Sequence, residues 1–317
     1  MTRKIYVLYH ASCMDGAAAR TAAWLKFRGS AKYIAVQYRE PMPVLEDDSD
    51  VYILDFSYSR EILEALKARM NFLIVLDHHK TAMKDLQGLD YAIFDMKKSG
   101  AMLAWEYFHG TSSIPRIIWL VQDRDLWKFN WGDETRRVHA GFQLRRDNYH
   151  AWETVTSNTE QGRYLLETIE KDGIPILQYE DVLIQEAMSR IKVVPFLHTQ
   201  IAIVNSTVLK DEIADTINAD TLNRLGTTGV VIYKIDPATN RATLSFRGAP
   251  NTDWSWVARH LGGGGHERSC NADVDLTTLH QIIDGRFRKL PRKTWLGSFR
   301  HWMNTKLRRW EEALHEI

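Results

Sequence analysis

Four stretches of the chain place acids and histidines where a metal ion or a phosphate ester could be handled. They are His10-Ala-Ser-Cys13-Met-Asp15-Gly16, the single Asp55, Asp77-His78-His79, and Asp123 at the head of Asp-Arg-Asp-Leu-Trp127. Hard divalent cations such as Mn²⁺ and Mg²⁺ select carboxylate oxygens, and Mn²⁺ also accepts imidazole nitrogen. Two such ions about 3.5–4 Å apart can clamp the attacking and leaving oxygens of a phosphoryl transfer. That clamp needs several carboxylates converging from different parts of a fold. Asp15, Asp55 and Asp77 are the candidates to supply them, with His10, His78 and His79 as candidate nitrogen ligands. Adjacent histidines on a strand-to-loop turn point in different directions, so one is expected on metal and the other toward substrate. Asp123 has two readings, as a helix cap or as the acid that completes the site. Cys13 is a soft thiol and reads as a neutral packing residue, because a hard ion disfavours it.

The elements that must position these groups alternate between strand and helix. Ile5–Tyr9, Tyr33–Val36, Val51–Leu54 and Phe72–Leu76 read as short buried strands, with helices over Gly16–Phe27 and Arg60–Met70. Nearly continuous apolar strands between helices predict a parallel sheet covered on both faces. Ligands bind such sheets beyond the carboxyl ends of the strands. His10 follows Tyr9, Asp55 follows Leu54, and Asp77 follows Leu76. Three strands therefore deliver acids or histidines to one sheet edge, a coincidence that capping alone does not explain. From Tyr149 to Arg190 the text turns helical, with Gly173 and Pro175 expected to break it in two. A second β-rich block follows, at Thr199–Asn205, Gly229–Ile235 and Arg241–Arg247, then an apolar helix over Trp254–Leu261 and the loop Gly262-Gly263-Gly264-Gly265-His266. The expected architecture is α/β: an N-terminal parallel-sheet domain (1–145), a helical connector (146–195), a smaller C-terminal α/β domain (196–278) and a C-terminal helical tail (279–317).

On these residues the chain resembles the DHH phosphoesterase superfamily. Asp77-His78-His79 after an apolar strand looks like its signature, His10-x-x-Cys13-x-Asp15-Gly16 like its first motif, Asp55 like its second and Asp123 like its fourth. The Gly262–His266 loop resembles the Gly-Gly-Gly-His signature of the associated substrate-binding domain, and the motifs fall in family order from residue 10 to 266. The resemblance implies a two-domain clam in which His10, Asp15, Asp55, Asp77 and Asp123 hold Mn²⁺, with Mg²⁺ as an alternative. It implies catalytic roles for Asp77 and His78, with His79 supporting the substrate side. Arg247, Gly263, Gly264, Gly265 and His266 would contact substrate, the loop amides facing phosphate oxygens. Many members carry Asp-x-Asp where this chain has Cys13-x-Asp15, so one tightly held ion and two ions stand as alternatives. The implied reaction is hydrolysis of a small nucleotide phosphodiester, in a short oligonucleotide or dinucleotide, by metal-activated water.

Bulk properties narrow the class further. The 317 residues are 44% hydrophobic and 26% charged with net charge +1, ordinary for a soluble globular protein and no global case for nucleic-acid binding. No apolar run approaches the ~20 residues that span a bilayer, and MTRKIYVLYH shows no secretory cleavage pattern. Two distant cysteines, Cys13 and Cys270, fit a reducing compartment. A cytoplasmic protein without membrane contact is expected. Between Leu279 and Ile317, Lys and Arg outnumber acids and interleave with Trp295, Phe299, Trp302 and Trp310. That tail is either a single-strand nucleic-acid contact or an amphipathic helix whose aromatics dock on the body. The competing functions are a single-strand exonuclease using the tail and a catalytically inert nucleotide-binding protein.

Overall fold

A computed structural model describes residues 3–37, 40–217, 219–249 and 252–289. The chain divides into two compact units between Tyr179 and Glu180. The first unit runs β1 (Ile5–His10), α1 (Met14–Phe27), β2 (Ala31–Val36), β3 (Asp50–Leu54), α2 (Arg60–Lys67), β4 (Phe72–Asp77), α3 (Lys80–Asp85) and β5 (Ala92–Phe94). Helices α4 (Gly100–His109), α5 (Arg116–Asp125), α6 (Asp133–Gln143) and α7 (Tyr149–Thr156) follow, and α8 (Glu160–Ser189) runs from the first unit into the second.

All five strands are parallel, in the order β2-β1-β3-β4-β5. Both faces are covered, as the unbroken apolar strands require. Val7, Leu54, Ile74 and Leu76 pack on one side against α1, α4, α5 and the helices beyond. Leu8, Ile53, Leu73 and Val75 pack on the other with Leu63 and Leu66 of α2. Each such fully buried aliphatic side chain contributes about 1.5–3 kcal/mol. Ala17, Ala18, Ala19, Ala22 and Ala23 are buried in α1, and their small size lets that helix lie close to both β1 and α4. After β2 pairs on one side of β1, the chain returns to place β3 on the other. The carboxyl ends of β1 and β3 thus form the switch point at which open α/β sheets bind ligands.

Register decides which side chains meet there. Tyr9 pairs with Leu54, and Leu54 pairs with Leu76. His10, Asp55 and Asp77, each one residue further on, therefore stand in a row across three neighbouring strands.

The helical stretch after Tyr149 breaks at Ser157–Thr159, between α7 and α8, and not at Gly173 or Pro175. Helix α8 runs unbroken for 30 residues with Pro175 inside it. Gly173 faces α6 so closely that a Cβ there would lie 1.8 Å from the Arg137 carbonyl oxygen. Its glycine serves helix packing rather than helix termination.

The second unit is built on a six-stranded sheet. Its elements are β6 (Lys192–Phe196), β7 (Thr199–Asn205), α9 (Lys210–Thr216), α10 (Ala219–Leu225), β8 (Gly229–Asp236), β9 (Arg241–Gly248), α11 (Ser255–His260), β10 (Gly264–His266), β11 (Ser269–Asp275) and α12 (Leu276–Ile283). The order is β10-β11-β9-β8-β7-β6, antiparallel except for β7 with β8. Pro195 is accommodated because β6 is an edge strand. Phe196, Phe246, Trp254 and Val257 form the core of one face, and Val204, Ile213, Leu222 and Ile232 that of the other. No helix among the described residues is long and apolar enough to cross a membrane. Trp295, Phe299, Trp302 and Trp310, on which the tail reading rests, lie outside the described residues.

Candidate metal centre

At the switch point, one imidazole nitrogen is ringed by three carboxylates. His78 Nε2 lies 3.3 Å from Asp55 Oδ1, 3.5 Å from Asp125 Oδ2 and 3.6 Å from Asp15 Oδ2. His10 Nδ1 sits 3.6 Å from Asp55 Oδ2 on the other side. Each group is set by a different element. Asp15 lies in the first turn of α1, and its two oxygens accept the Gly100 and Ala101 amides (2.6 and 2.9 Å) at the start of α4. Ser99 caps that helix, accepting the Met102 amide. The positive end of α4 is thereby aimed at the Asp15 carboxylate.

Asp55 has φ +56°, a left-handed backbone that aspartate tolerates better than most side chains. The first residue of α4 is glycine for a steric reason. A Cβ on Gly100 would fall 2.4 Å from Asp55 Cβ and 2.7 Å from Asp55 Oδ1.

Asp77 has a different character. Its Oδ1 accepts from His79 Nδ1 (2.6 Å) and from the His78 and His79 amides, while Oδ2 accepts the Ser57 hydroxyl (2.5 Å). It is fully buried and holds the turn that carries both histidines. Asp123 is buried as well, but its carboxylate builds a loop. Oδ1 accepts the Asn130 amide (2.9 Å), and Oδ2 accepts the Thr135 hydroxyl (2.6 Å) and the Trp131 amide (3.4 Å). The acid that the structure brings beside His78 is Asp125, at the end of α5. Its position was readable, since it continues the i, i+4 row of buried Ile117 and Val121. Gly100, Ser99 and Ser57 carried no comparable signal, because their roles arise from contacts distant in sequence.

Potential metal-holding groups overlap here. Asp15, His78 and Asp125 form one set, His10, Cys13 and Asp55 a second, and Asp55, Asp77, His78 and His79 a third. The electrostatics without a cation are those of crowded buried anions. Asp15 is pushed well above the ordinary carboxylate range, by burial first and then by repulsion from Asp55 and Asp125. Asp125 rises to about 6 for the same leading reason, burial. Burial also opposes charge on Asp55, yet its contacts with His10 and His78 outweigh that and hold it at about 2. Burial disfavours an imidazolium at His78 too, but the surrounding Asp55, Asp15 and Asp125 outweigh it and push the ring's pKa up. Burial, then the Asp55 and Asp15 charges, push the Cys13 thiol up, so it stays protonated. A buried divalent cation fits this donor set. Asp55 Oδ2 is buried, with His10 Nδ1 3.6 Å away and no hydrogen bond of normal length, so a cation would complete its pairing.

In the second unit, the Arg247 guanidinium pairs through Nη2 with Asp211 (2.7 Å) and through Nη1 with the Phe246 carbonyl (3.0 Å). The Gly262 and Gly263 amides donate to the Arg259 and Ala258 carbonyls of α11. They close that helix and are not left to face a ligand. Gly264, Gly265 and His266 form the edge strand β10.

The same arrangement of elements occurs in solved structures. The DHH domain of a member of a family of ribosomal proteins matches 90% of this chain and 85% of its own, at 14% identity and TM-score 0.51. Exonuclease RecJ bound to manganese matches 90% and 89%, at 12% identity and TM-score 0.51. This is the fold of DHH-domain proteins. An uncharacterized protein of Acanthamoeba polyphaga mimivirus is 27% identical over 295 residues, or 83% of this chain and 66% of that protein's length. No family model matches the chain. Within the DHH fold, the cluster sits at the sheet edge where His10, Asp55 and Asp77 align.

The charge balance makes a pH prediction. An acid whose folded-state pKa exceeds its unfolded value of about 4 binds more protons folded than unfolded, so stability falls as pH rises from about 4 through the folded pKa. Asp15 and Asp125 both act in that direction. His78, raised from an unfolded 6.5, adds a further loss at higher pH. Protons on these acids also compete with a cation. Mn²⁺ should therefore raise the melting temperature over EDTA-treated protein more at pH 7.5 than at pH 5. Differential scanning fluorimetry reads this directly. An equal or larger increment at pH 5 would show that the acids are not the binding groups.

Proposed function

We propose that this chain is a divalent-cation-dependent phosphoesterase that hydrolyses a small nucleotide phosphodiester, in a short oligonucleotide or dinucleotide. The observation that carries the reading is the ring of three carboxylates around His78 Nε2, with the buried Asp55 Oδ2 beside it. Asp15, Asp55, His78 and Asp125 hold the cation, and His10 reaches Asp55 from the other side. With one carboxylate, one imidazole and a protonated thiol, the His10–Cys13–Asp55 set is a poor second site for a hard ion. One tightly held Mn²⁺ per chain is the expected stoichiometry, with Mg²⁺ as a weaker substitute. The fold shared with a manganese-bound nuclease supports that choice of ion.

When bound, the cation supplies charge stabilisation at the phosphoryl oxygens and eases deprotonation of the attacking water. The chain's own groups do the rest. Asp77 is a positioning residue, because its oxygens are already taken by Ser57, His79 and two amides. Burial opposes charge on His79, but the Asp77 carboxylate outweighs it and raises the ring's pKa. With Nδ1–H donating to Asp77, the doubly protonated form of His79 offers its Nε2–H to a phosphoryl or leaving oxygen, as general acid catalysis requires. His78 fixes the relative placement of Asp15, Asp55 and Asp125. In the second unit, Gly264, Gly265 and His266 are the remaining candidates for substrate contact, since the Gly263 amide closes α11. A substrate phosphate would compete with Asp211 for Arg247.

A panel assayed with Mn²⁺ and with EDTA, resolved by chromatography, tests the reading. It holds a linear dinucleotide, a 5-mer RNA, a cyclic dinucleotide, phosphoadenosine phosphate, pyrophosphate and a single-stranded 20-mer. Cleavage of a short phosphodiester that EDTA abolishes is the expected result. Silence across the panel with Mn²⁺ demonstrably bound would replace it with an inert binding protein.

A further inference from the structure

The segment after Asp125 is unusually built. Trp127 and Phe129 both occupy the left-handed region, at φ +54° and +49°. For bulky residues that conformation costs about 1–3 kcal/mol each and persists only where the surroundings over-determine it. The surroundings here are the buried Asp123. Its carboxylate gathers the Asn130 and Trp131 amides and the Thr135 hydroxyl, and its carbonyl accepts the Lys128 amide (2.9 Å). Glycine at either position would relieve the strain, so the strain comes with keeping two aromatic rings there.

The rings are assembled, not merely tolerated. The Arg124 guanidinium carbon lies 4.0 Å from the Trp127 ring centre, Phe129 meets Trp127 edge-on at 5.1 Å, and Arg136 covers Phe129 at 4.0 Å. Trp127 nevertheless stays 36% exposed. Its Cα stands two residues beyond that of Asp125, within about 7 Å even for a fully extended chain. A flat, partly exposed indole with a guanidinium against it, two residues along the chain from a carboxylate of the cluster, suits a ligand with both an aromatic face and a phosphate. Each base stacked on an aromatic side chain is worth about 1–3 kcal/mol. Pyrophosphate and polyphosphate have no aromatic face to offer it.

We infer that Trp127 is a base-stacking residue, held by the Asp123-pinned loop, and that it restricts the site to base-bearing phosphate esters. This rests on the phosphoesterase reading and assigns recognition of the substrate's base to a particular residue. The test is calorimetric titration of the Mn²⁺-loaded full chain with adenosine monophosphate and with ribose 5-phosphate, for wild type, Trp127→Phe, Trp127→Ala and Trp127→Gly. Wild type should bind the nucleotide about tenfold or more tightly than the sugar phosphate, the size expected of one stacked base. Trp127→Phe should keep most of that ratio, and the Ala and Gly variants should bring it within about twofold.

Trp127→Gly should also melt at or above the wild-type temperature, because glycine relieves the backbone. A purely structural tryptophan would instead lose stability on removal. An unchanged ratio in Trp127→Ala, or no ratio in wild type, overturns the assignment. Hydrolysis of a dinucleotide in the same preparations separates the two readings. Activity without a Trp127-dependent ratio sinks the platform alone, and a Trp127-dependent ratio without any cleavage sinks the phosphoesterase reading alone.

Discussion

Asp55→Asn should lower Mn²⁺-dependent phosphodiester cleavage by about 10²–10³-fold, while leaving a folded protein whose melting temperature without cation falls modestly, because the ionised carboxylate favoured by His10 and His78 is lost. The loss is that of a preorganised charge-stabilising group, of the order seen when one such group is removed. Asp55 is common to two of the three potential metal-holding sets and carries a buried oxygen met only loosely, by His10 at 3.6 Å. Two features keep the loss of stability small and the fold intact. Asparagine tolerates the left-handed backbone that Asp55 adopts, and it removes one of the buried negative charges that raise Asp15 and Asp125. Steady-state kinetics with a melting curve in EDTA measures both. Activity within tenfold of wild type would remove Asp55 from the cation site. A collapsed melting temperature would mean that the carboxylate supports the fold rather than the chemistry.

Gly100→Ala should lower turnover about 100-fold and weaken Mn²⁺ binding, although residue 100 is no ligand. The added methyl would meet the Asp55 side chain at 2.4–2.7 Å, so Asp55 or the start of α4 must move. Moving α4 also shifts the Gly100 and Ala101 amides that hold Asp15. Displacements of about 1 Å around a reacting group cost on the order of 10² in rate. Beyond residue 100, α4 is anchored in the core through Ala101, Met102, Ala104 and Trp105, so the fold should survive. Manganese titration beside kinetics separates this from global damage. Unchanged affinity and rate together would show that α4 does not press on Asp55.

The metal cluster was partly readable in the sequence because each strand ends at a local signal. Unbroken apolar runs stop at His10, Asp55 and Asp77, and a parallel sheet brings such ends to one edge whatever the strand order. The α/β class and the two-sided burial of the first sheet follow from the same runs. Register was not local. Pairing of Tyr9, Leu54 and Leu76 sets the three groups abreast, and only the assembled sheet decides it.

The choice between Asp123 and Asp125 shows the limit more sharply. Both follow the same apolar run, two residues apart, and a carboxylate's role depends on which donors reach it. Asp123 meets the amides and hydroxyl of its own loop, and Asp125 meets His78. Gly173 and Pro175 signal a helix end in isolation, yet α8 continues through them because tertiary packing against α6 outweighs local propensity. Local composition thus determined which residues stand at strand ends and that they suit a hard cation. Tertiary structure alone decided which carboxylates share one imidazole and which are spent on holding loops, since hydrogen-bond partners remote in sequence meet only once the chain has folded.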